Sequence, residues 1–152
     1  MEAFTTAILD EISTANGDLR KALDGASREA LNWRPTREET NSIYVIAAHM
    51  IGVQRAMVSL AVKAPIQRDR AEEFRASGDS VELLLGALSN AEREVTGWLE
   101  QVEQKSLPET RTYLNREITV ARCLTMAARH LGEHAGHVGL TRQLWEQRNA
   151  ES

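Results

Sequence analysis

Apolar side chains recur along much of this chain at the three- and four-residue spacing of an amphipathic α-helix. In the first such segment, from about Ala3 to Leu23, they are Ile8, Leu9, Ile12, Ala15, Leu19 and Leu23. Side chains at this spacing share one face of a helix, and a globular protein buries that face. The helical pattern ends at Gly25 and can begin again at Ser27. Pro35 disfavours helix at the residue before it. The pattern predicts one long helix followed by an irregular connection.

A second helix is predicted to begin after Asn41 or Ser42, either of which can cap its first turn. It runs to about Val62, and its apolar face contains a histidine. The members of that face are Val45, Ile46, His49, Val53, Ala56, Met57 and Leu60. Residues 66–78 are polar and charged, with one short helix expected around 71–74. This stretch is long enough to be a crossover connection between the second and third helices.

A third helix is predicted from Asp79 or Ser80 to about Val102. Its inward positions are Leu84, Leu88, Ala91, Val95, Trp98 and Val102. The fourth helix, about 117–148, is the longest, and almost no strand pattern is present. A chain of 152 residues is the size of one ordinary domain. The sequence therefore predicts an all-α fold in a single domain, 1–152: a four-helix bundle with a long crossover between helices 2 and 3.

Composition and charge narrow the class of protein. Hydrophobic residues make up 42% and charged residues 26%, and no uninterrupted apolar run approaches the roughly 20 residues of a membrane span. The net charge of -4 gives no general attraction to nucleic acid, and the mixed charges of residues 68–73 are interpreted as a solvated face. The first residues lack the basic segment of a signal peptide, and the single cysteine excludes an internal disulfide. We expect a cytoplasmic protein that binds neither nucleic acid nor a membrane.

The four histidines all fall on predicted inward helical faces. His49 lies on the second helix, and His130, His134 and His137 lie within two turns of the fourth. At about 100° per residue, His134 is rotated roughly 40° from His130, and His137 falls roughly 20° short of two full turns. Residues four apart have Cβ atoms about 6 Å apart, so two such imidazoles can bind one ion at about 2.0–2.1 Å.

This pattern favours a divalent metal ion, because buried imidazoles without one would each need another partner. Neutral imidazole suits several metals, so the pattern specifies the ligands better than the ion. Zinc or nickel is expected first, with iron and manganese as alternatives. Two other interpretations stay open. The histidines could be hydrogen-bonded core residues of a helical interaction protein, or a fourth protein ligand could close a purely structural site.

Several short motifs, in this order and spacing, resemble the DinB-like (DinB/YfiT) superfamily of metal-dependent enzymes. The second helix carries Ala-Ala-His at 47–49, and the last helix carries His-Leu-Gly-Glu-His-Ala-Gly-His-Val at 130–138. Residues 31–35, Leu-Asn-Trp-Arg-Pro, resemble a segment of one subgroup between its first two helices. The resemblance extends from the first helix to Trp145, and it implies a homodimer.

By this resemblance, His49, His130 and His134 are the metal ligands. His137 stands where the family often has Gln, so His134 with His137 is an alternative pair of metal ligands on the fourth helix. Glu133 with His137 is another, and it resembles the mycothiol-dependent maleylpyruvate isomerase branch. We keep His130 with His134 because the register of the motif supports that pair. His137 is then an outer partner, a pocket residue or simply packed.

The resemblance implies either metal-dependent hydrolysis of a small molecule or thiol-dependent transfer or isomerisation, with a low-molecular-weight thiol as cosubstrate in some branches. The alternative is a non-catalytic, metal-stabilised helical module in stress response or interaction. No general acid or base can be named from the residues.

Four further side-chain types have candidate roles. Cys123 is interpreted as a small buried hydrophobe rather than a ligand or nucleophile. Glu133 could hydrogen-bond a ligand imidazole or lie in solvent. Arg142 could pair with a substrate carboxylate, although a surface salt bridge is the default. Core or interface packing is expected of the tryptophans, Trp33, Trp98 and Trp145.

Overall fold

The computed structural model describes residues 1–36 and 38–151. Within these residues the chain is mostly helical, as the apolar spacing predicts, with six α-helices, one 3-10 helix and two short strands. In chain order they are α1 (Ala3–Leu23), α2 (Arg28–Asn32), α3 (Ile43–Ala61), α4 (Arg70–Glu73), α5 (Glu82–Leu99), the 3-10 helix (Gln104–Ser106), β1 (Thr110–Tyr113), β2 (Arg116–Thr119) and α6 (Val120–Ala150).

The long helices lie close to their predicted ranges. Helix α1 has the predicted bounds, and α3 begins directly after Ser42. The Oγ of Ser42 accepts a hydrogen bond from the Val45 N–H at 3.1 Å, which caps the first turn. The restart after Gly25 is the short helix α2, and the short helix expected near 71–74 is α4. Helix α5 ends at Leu99 rather than at Val102.

A β-hairpin precedes the last helix, and the prediction of an all-α chain is wrong at this point. Strands β1 and β2 pair antiparallel. Leu114 and Asn115 form the turn with positive φ angles of 48° and 62°, the backbone conformation that two-residue hairpin turns need. Helix α6 therefore begins at Val120 rather than at Glu117, with Thr119 as its cap. Strands of four residues are too short to show a clear alternation in the sequence.

The long helices pack on one another around an apolar core. Helix α6 packs along α1 and α3, and α5 contacts both α3 and α1. The largest fully buried apolar side chains include Ile12, Leu19, Met50, Leu88, Leu124 and Leu131. Between α1 and α3, Asn16 and Gln54 exchange two side-chain hydrogen bonds of 3.0 and 3.1 Å. These bonds satisfy both buried amides and stabilise one alignment of α1 with the helix that carries His49.

Helix α3 is the most enclosed element and positions the site. By length and composition alone it could cross a membrane. However, 67% of its most apolar window is buried inside the protein, where it contacts α1, α5 and α6. The short helix α4, in the crossover connection, also packs against α3. The apolar character of α3 is accounted for by this central position.

Candidate metal centre

Three histidines from two neighbouring helices converge at one point. His49 lies in α3, and His130 and His134 lie in α6, which packs directly on α3. The Nε2 atom of His130 is 3.0 Å from Nε2 of His49 and 3.2 Å from Nε2 of His134. One nitrogen from each ring lies within 4.8 Å of the other two. The structure thus brings together the three residues that the family resemblance implies as ligands.

This arrangement fits a single metal ion. Nitrogen ligands at about 2.05 Å around a tetrahedral ion lie roughly 3.3 Å apart, close to the two short separations in the cluster. Hydrogen bonding accounts for the cluster less well. The Nε2 of His130 has either one proton or one lone pair, so it cannot fully satisfy both neighbouring nitrogens. A cation between the rings would accept a lone pair from each.

The surroundings keep the two histidines of α6 in the neutral form that binds metals. Burial and the neighbouring His49 lower the pKa of His130. Burial, with His49, His130 and His137 nearby, lowers the pKa of His134 to about 4. Because metal ions bind deprotonated imidazole, both rings are ready to ligate at neutral pH.

Burial is graded across the site. His49 is only 4% exposed, the side chain of His130 is 33% exposed, and His137 is exposed. The expectation that every histidine faces inward therefore holds for His49 and is wrong for His137. On the same face of α6, Cys123 is fully buried while Leu144 is 37% exposed. This face passes from the core to the surface along the helix, so the cluster lies at the edge of the core.

His137 lies beside the cluster rather than within it. Its Nδ1 is 3.4 Å from Nδ1 of His134, whereas the other ring nitrogen of His134 faces His130. Among the residues that the structure describes, the only group of three or more potential ligands is His49, His130 and His134. Neither alternative pair, His134 with His137 or Glu133 with His137, forms such a group with His49.

The other candidate side chains make structural contacts. Glu133 lies 3.9 Å from Nδ1 of His130, too far for a hydrogen bond, and pairs instead with Arg129 at 2.8 Å. Arg142 donates to two backbone carbonyls at the end of α1 and pairs with a glutamate on its own helix. Cys123 is buried, and its thiol donates to a backbone carbonyl of α3. None of the three belongs to the histidine cluster.

An ion pair behind His49 is not apparent from the sequence. The side chains of Arg68 and Glu73 are only 16% and 12% exposed, so interpreting residues 68–73 as a solvated face is wrong for these two. Glu73 Oε2 lies 3.2 Å from Nδ1 of His49, and Arg68 donates to both carboxylate oxygens at 2.7 Å. Burial is the largest single influence and would raise the pKa of Glu73, but the hydrogen bonds and charge interactions with His49 and Arg68 together outweigh it and lower the pKa.

The position of Glu73 could not be inferred from its local sequence. A polar stretch of alternating charge usually lies in solvent, and nothing in residues 66–78 distinguishes Glu73 from Glu72. Only the packing of α4 against α3 turns Glu73 towards His49.

A cleft of about 350 Å³ opens beside His134 and His137. Its walls come from α3, α6 and the segment before α3, and the other lining residues are Pro35, Glu39, Thr40, Asn41, Ile46, Leu140, Thr141 and Leu144. Protein pockets for small molecules measure about 300–1,000 Å³. Three larger depressions, of about 490, 570 and 650 Å³, have no histidine among the described residues of their walls. The cleft next to the cluster can hold a small molecule.

Comparison with known proteins identifies the family to which the chain belongs. The family model of the DinB superfamily matches residues 11–138, so the chain belongs to that superfamily, as its motifs suggest. No curated protein matches the chain.

Among the solved structures that share the fold are the following three. A conserved protein from Enterococcus faecalis has a TM-score of 0.79 at 16% identity, with 95% of this chain and 97% of that chain covered. A DinB-like protein from Bacillus subtilis has 0.69 at 14% identity, with 95% and 92% covered. A DinB-like protein from Bacillus cereus has 0.73 at 12% identity, with 91% of each covered. At such identities the similarity establishes the fold alone.

Proposed function

We propose that His49, His130 and His134 hold one divalent metal ion and that the protein is a metal-dependent enzyme acting on a small molecule. The observation that carries the proposal is the convergence of three imidazoles from α3 and α6 at the edge of the core. Zinc and nickel, which neutral imidazole suits, are the first candidates for this ion, with iron and manganese as alternatives. The scaffold we propose is a four-helix bundle of α1, α3, α5 and α6.

The reaction we propose is either hydrolysis or a thiol-dependent transfer or isomerisation. Three protein ligands leave one coordination position for water or substrate, as in catalytic rather than structural sites. A divalent ion held by His49, His130 and His134 would supply Lewis-acid chemistry to a water molecule or a small thiol. The cleft beside His134 offers apolar contacts from Ile46 and Leu140 and polar ones from Asn41 and Thr141. It would bind the body of the substrate next to the reacting group.

A non-catalytic metal site would need a fourth protein ligand, and His137, which follows His134 by three residues on α6, is a candidate for it. Its Nδ1 lies on the side of the His134 ring that faces away from His130, and the residue is exposed. Both features favour an open coordination position over a closed site.

The metal site is tested by the metal content and affinity of protein purified without a His-tag. We expect one bound Zn²⁺ or Ni²⁺ per chain. His49→Ala, His130→Ala and His134→Ala should each weaken binding by more than the roughly 10–100-fold that loss of an outer partner costs. His137→Ala is the matched control, and its loss of metal affinity should be no larger than that roughly 10–100-fold range.

Two results would contradict the assignment. If the protein binds none of Zn²⁺, Ni²⁺, Fe²⁺ and Mn²⁺, the metal site does not exist. If His137→Ala costs more affinity than His130→Ala, the ligand pair on α6 is His134 with His137.

The open coordination position has its own test. The visible spectrum of Co²⁺-loaded protein should change when a small thiol is added. A spectrum that no thiol or anion alters would indicate a closed, structural site.

We further propose that residues 1–152 form one domain and that the protein is a cytoplasmic homodimer. These proposals rest on composition, cysteine content and family resemblance. Sedimentation equilibrium tests the dimer directly, and a mass of 16.9 kDa at all concentrations would exclude it.

A further inference from the structure

We propose that Glu73 is a positioning residue for the metal centre, held by Arg68 and given room by Gly52. Its carboxylate keeps the proton of His49 on Nδ1, so that the Nε2 lone pair is directed at the metal. This inference rests on the proposed metal site. It assigns a role to the crossover connection between α3 and α5, which contributes no ligand to the histidine cluster.

The two ring nitrogens of His49 face different partners. Nε2 lies 3.0 Å from Nε2 of His130, and Nδ1 lies 3.2 Å from Oε2 of Glu73. An ionised carboxylate can only accept a hydrogen bond, so the contact with Glu73 is favourable when Nδ1 carries the proton. The lone pair is then on Nε2, the nitrogen that faces the other two histidines. A partner at the second nitrogen generally fixes the tautomer and orientation of a ligand histidine.

Glu73 is placed to orient a ligand and not to act as one. It lies on the Nδ1 side of the His49 ring, and the group of potential ligands does not include it. Its negative charge also offsets the guanidinium of Arg68, which would otherwise stand unpaired close to a divalent cation.

Arg68 fixes the direction of the carboxylate. Its Nε and Nη2 each donate to a different oxygen of Glu73 at 2.7 Å, which is the two-point geometry that defines a carboxylate plane. Nη2 also lies 3.1 Å from Nδ1 of His49. A guanidinium only donates, so it has no hydrogen bond with a protonated Nδ1. If His49 binds a metal through Nε2, its Nδ1 carries the proton. The hydrogen bonds of Arg68 are then the two shorter ones to Glu73 and not the contact with His49.

Gly52 allows the carboxylate to approach α3 this closely. It follows His49 by three residues and so lies on the same side of the helix. A Cβ at this position would be 1.9 Å from Oε1 and 2.7 Å from Cδ of Glu73, and 3.1 Å from Nε of Arg68. The obstructing atoms belong mainly to the end of a flexible side chain. Gly52→Ala should therefore displace Glu73 while leaving α3 intact, since alanine favours helix over glycine.

The test compares the Zn²⁺ affinity of three variants, measured by competition with a chromophoric chelator. Glu73→Gln should weaken binding about 10–100-fold. Gly52→Ala should weaken it by about 10-fold, the lower end of that range, with an unchanged or higher melting temperature of the metal-free protein. Gly86→Ala in α5 is the matched control, because a Cβ there meets nothing within 4 Å. It should leave the affinity unchanged.

A second measurement needs no metal. The ¹⁵N NMR shifts of the His49 ring in metal-free protein should show the proton on Nδ1, and Glu73→Gln should lose that preference. The inference is overturned if Glu73→Gln and Gly52→Ala bind Zn²⁺ as tightly as the wild type, or if the proton resides on Nε2. If the wild type itself binds no metal, the proposed function fails and the positioning role fails with it. If the wild type binds Zn²⁺ and both variants bind it equally tightly, only the positioning role fails and the proposed metal site stands.

Discussion

At the residue scale, the surroundings of a side chain decide which chemistry it can take part in. His49 and His137 are both histidines on long helices, yet His49 is 4% exposed with a carboxylate at one ring nitrogen, whereas His137 is exposed. Glu73 and Glu133 differ in the same way. Glu73 hydrogen-bonds a histidine of the cluster, while Glu133 lies in solvent and pairs with an arginine on its own helix. The members of each pair have the same residue type, and they differ in how deeply the side chain is buried and in which group it contacts.

Cys123 gives a prediction at this scale. Burial raises the pKa of its thiol to about 11, and the thiol donates to the carbonyl of Met57 at 3.2 Å. We expect folded protein at pH 8 to resist iodoacetamide, because reaction needs an accessible thiolate, and to react readily in denaturant. Cys123→Ala should leave Zn²⁺ affinity unchanged. Rapid alkylation of the native protein would contradict the buried, unreactive state of the thiol, and metal loss in the alanine variant would show that Cys123 supports the metal site.

At the scale of elements, α3 links the core to the site. It packs against three other long helices and supplies His49, and Gly52 lies one turn further along it. Its first turn is stabilised by Ser42, which is 3% exposed and accepts the hydrogen bond from the Val45 N–H. The cap and the ligand therefore belong to one rigid unit.

We expect Ser42→Ala to lower the free energy of unfolding by about 1 kcal/mol, because the first turn of α3 loses its side-chain acceptor. Urea denaturation of the metal-free protein measures this change. Ser13→Ala is a suitable control, since Ser13 is exposed within α1 and alanine favours helix there. Equal stability of the two variants would show that the Ser42 bond does not contribute.

Comparison at this scale also shows which elements are predictable from sequence. Helix α1 and the start of α3 follow from apolar spacing and a capping serine, both of which are local signals. The β-hairpin and the true start of α6 do not, because two four-residue strands carry too little pattern. Trp98 is predicted to point inward but is only partly buried, and Leu99 is fully buried in its place. Helical periodicity specifies the buried face of a helix to within about one residue, and the packing of neighbouring helices decides which residue at its edge is buried.

At the scale of the whole molecule, the proposed ligands join parts of the chain that are far apart in sequence. His49 and His130 are separated by 81 positions, so a metal ion between them would link α3 to α6. An ion that binds only the folded chain adds to its stability according to its free concentration and affinity.

Zn²⁺ at 100 times its dissociation constant should raise the free energy of unfolding by about 2.7 kcal/mol. For a chain of this length we expect a melting temperature higher by about 5–10 °C, measured by circular dichroism. EDTA should reverse the shift. His49→Ala should show none, and a full shift in that variant would mean that the ion binds elsewhere.

The sequence by itself determined the local features of this protein: the long helices, the capping serine of α3 and the shared face of His130 and His134. Each depends on residues within a few turns of one another, and helical geometry relates such residues directly. The tertiary structure alone decided that α6 places its two histidines against His49, that His137 stays outside and that Glu73 lies behind His49. These relations depend on how distant segments pack, and packing is set by the shapes of whole helices rather than by spacing along any one of them.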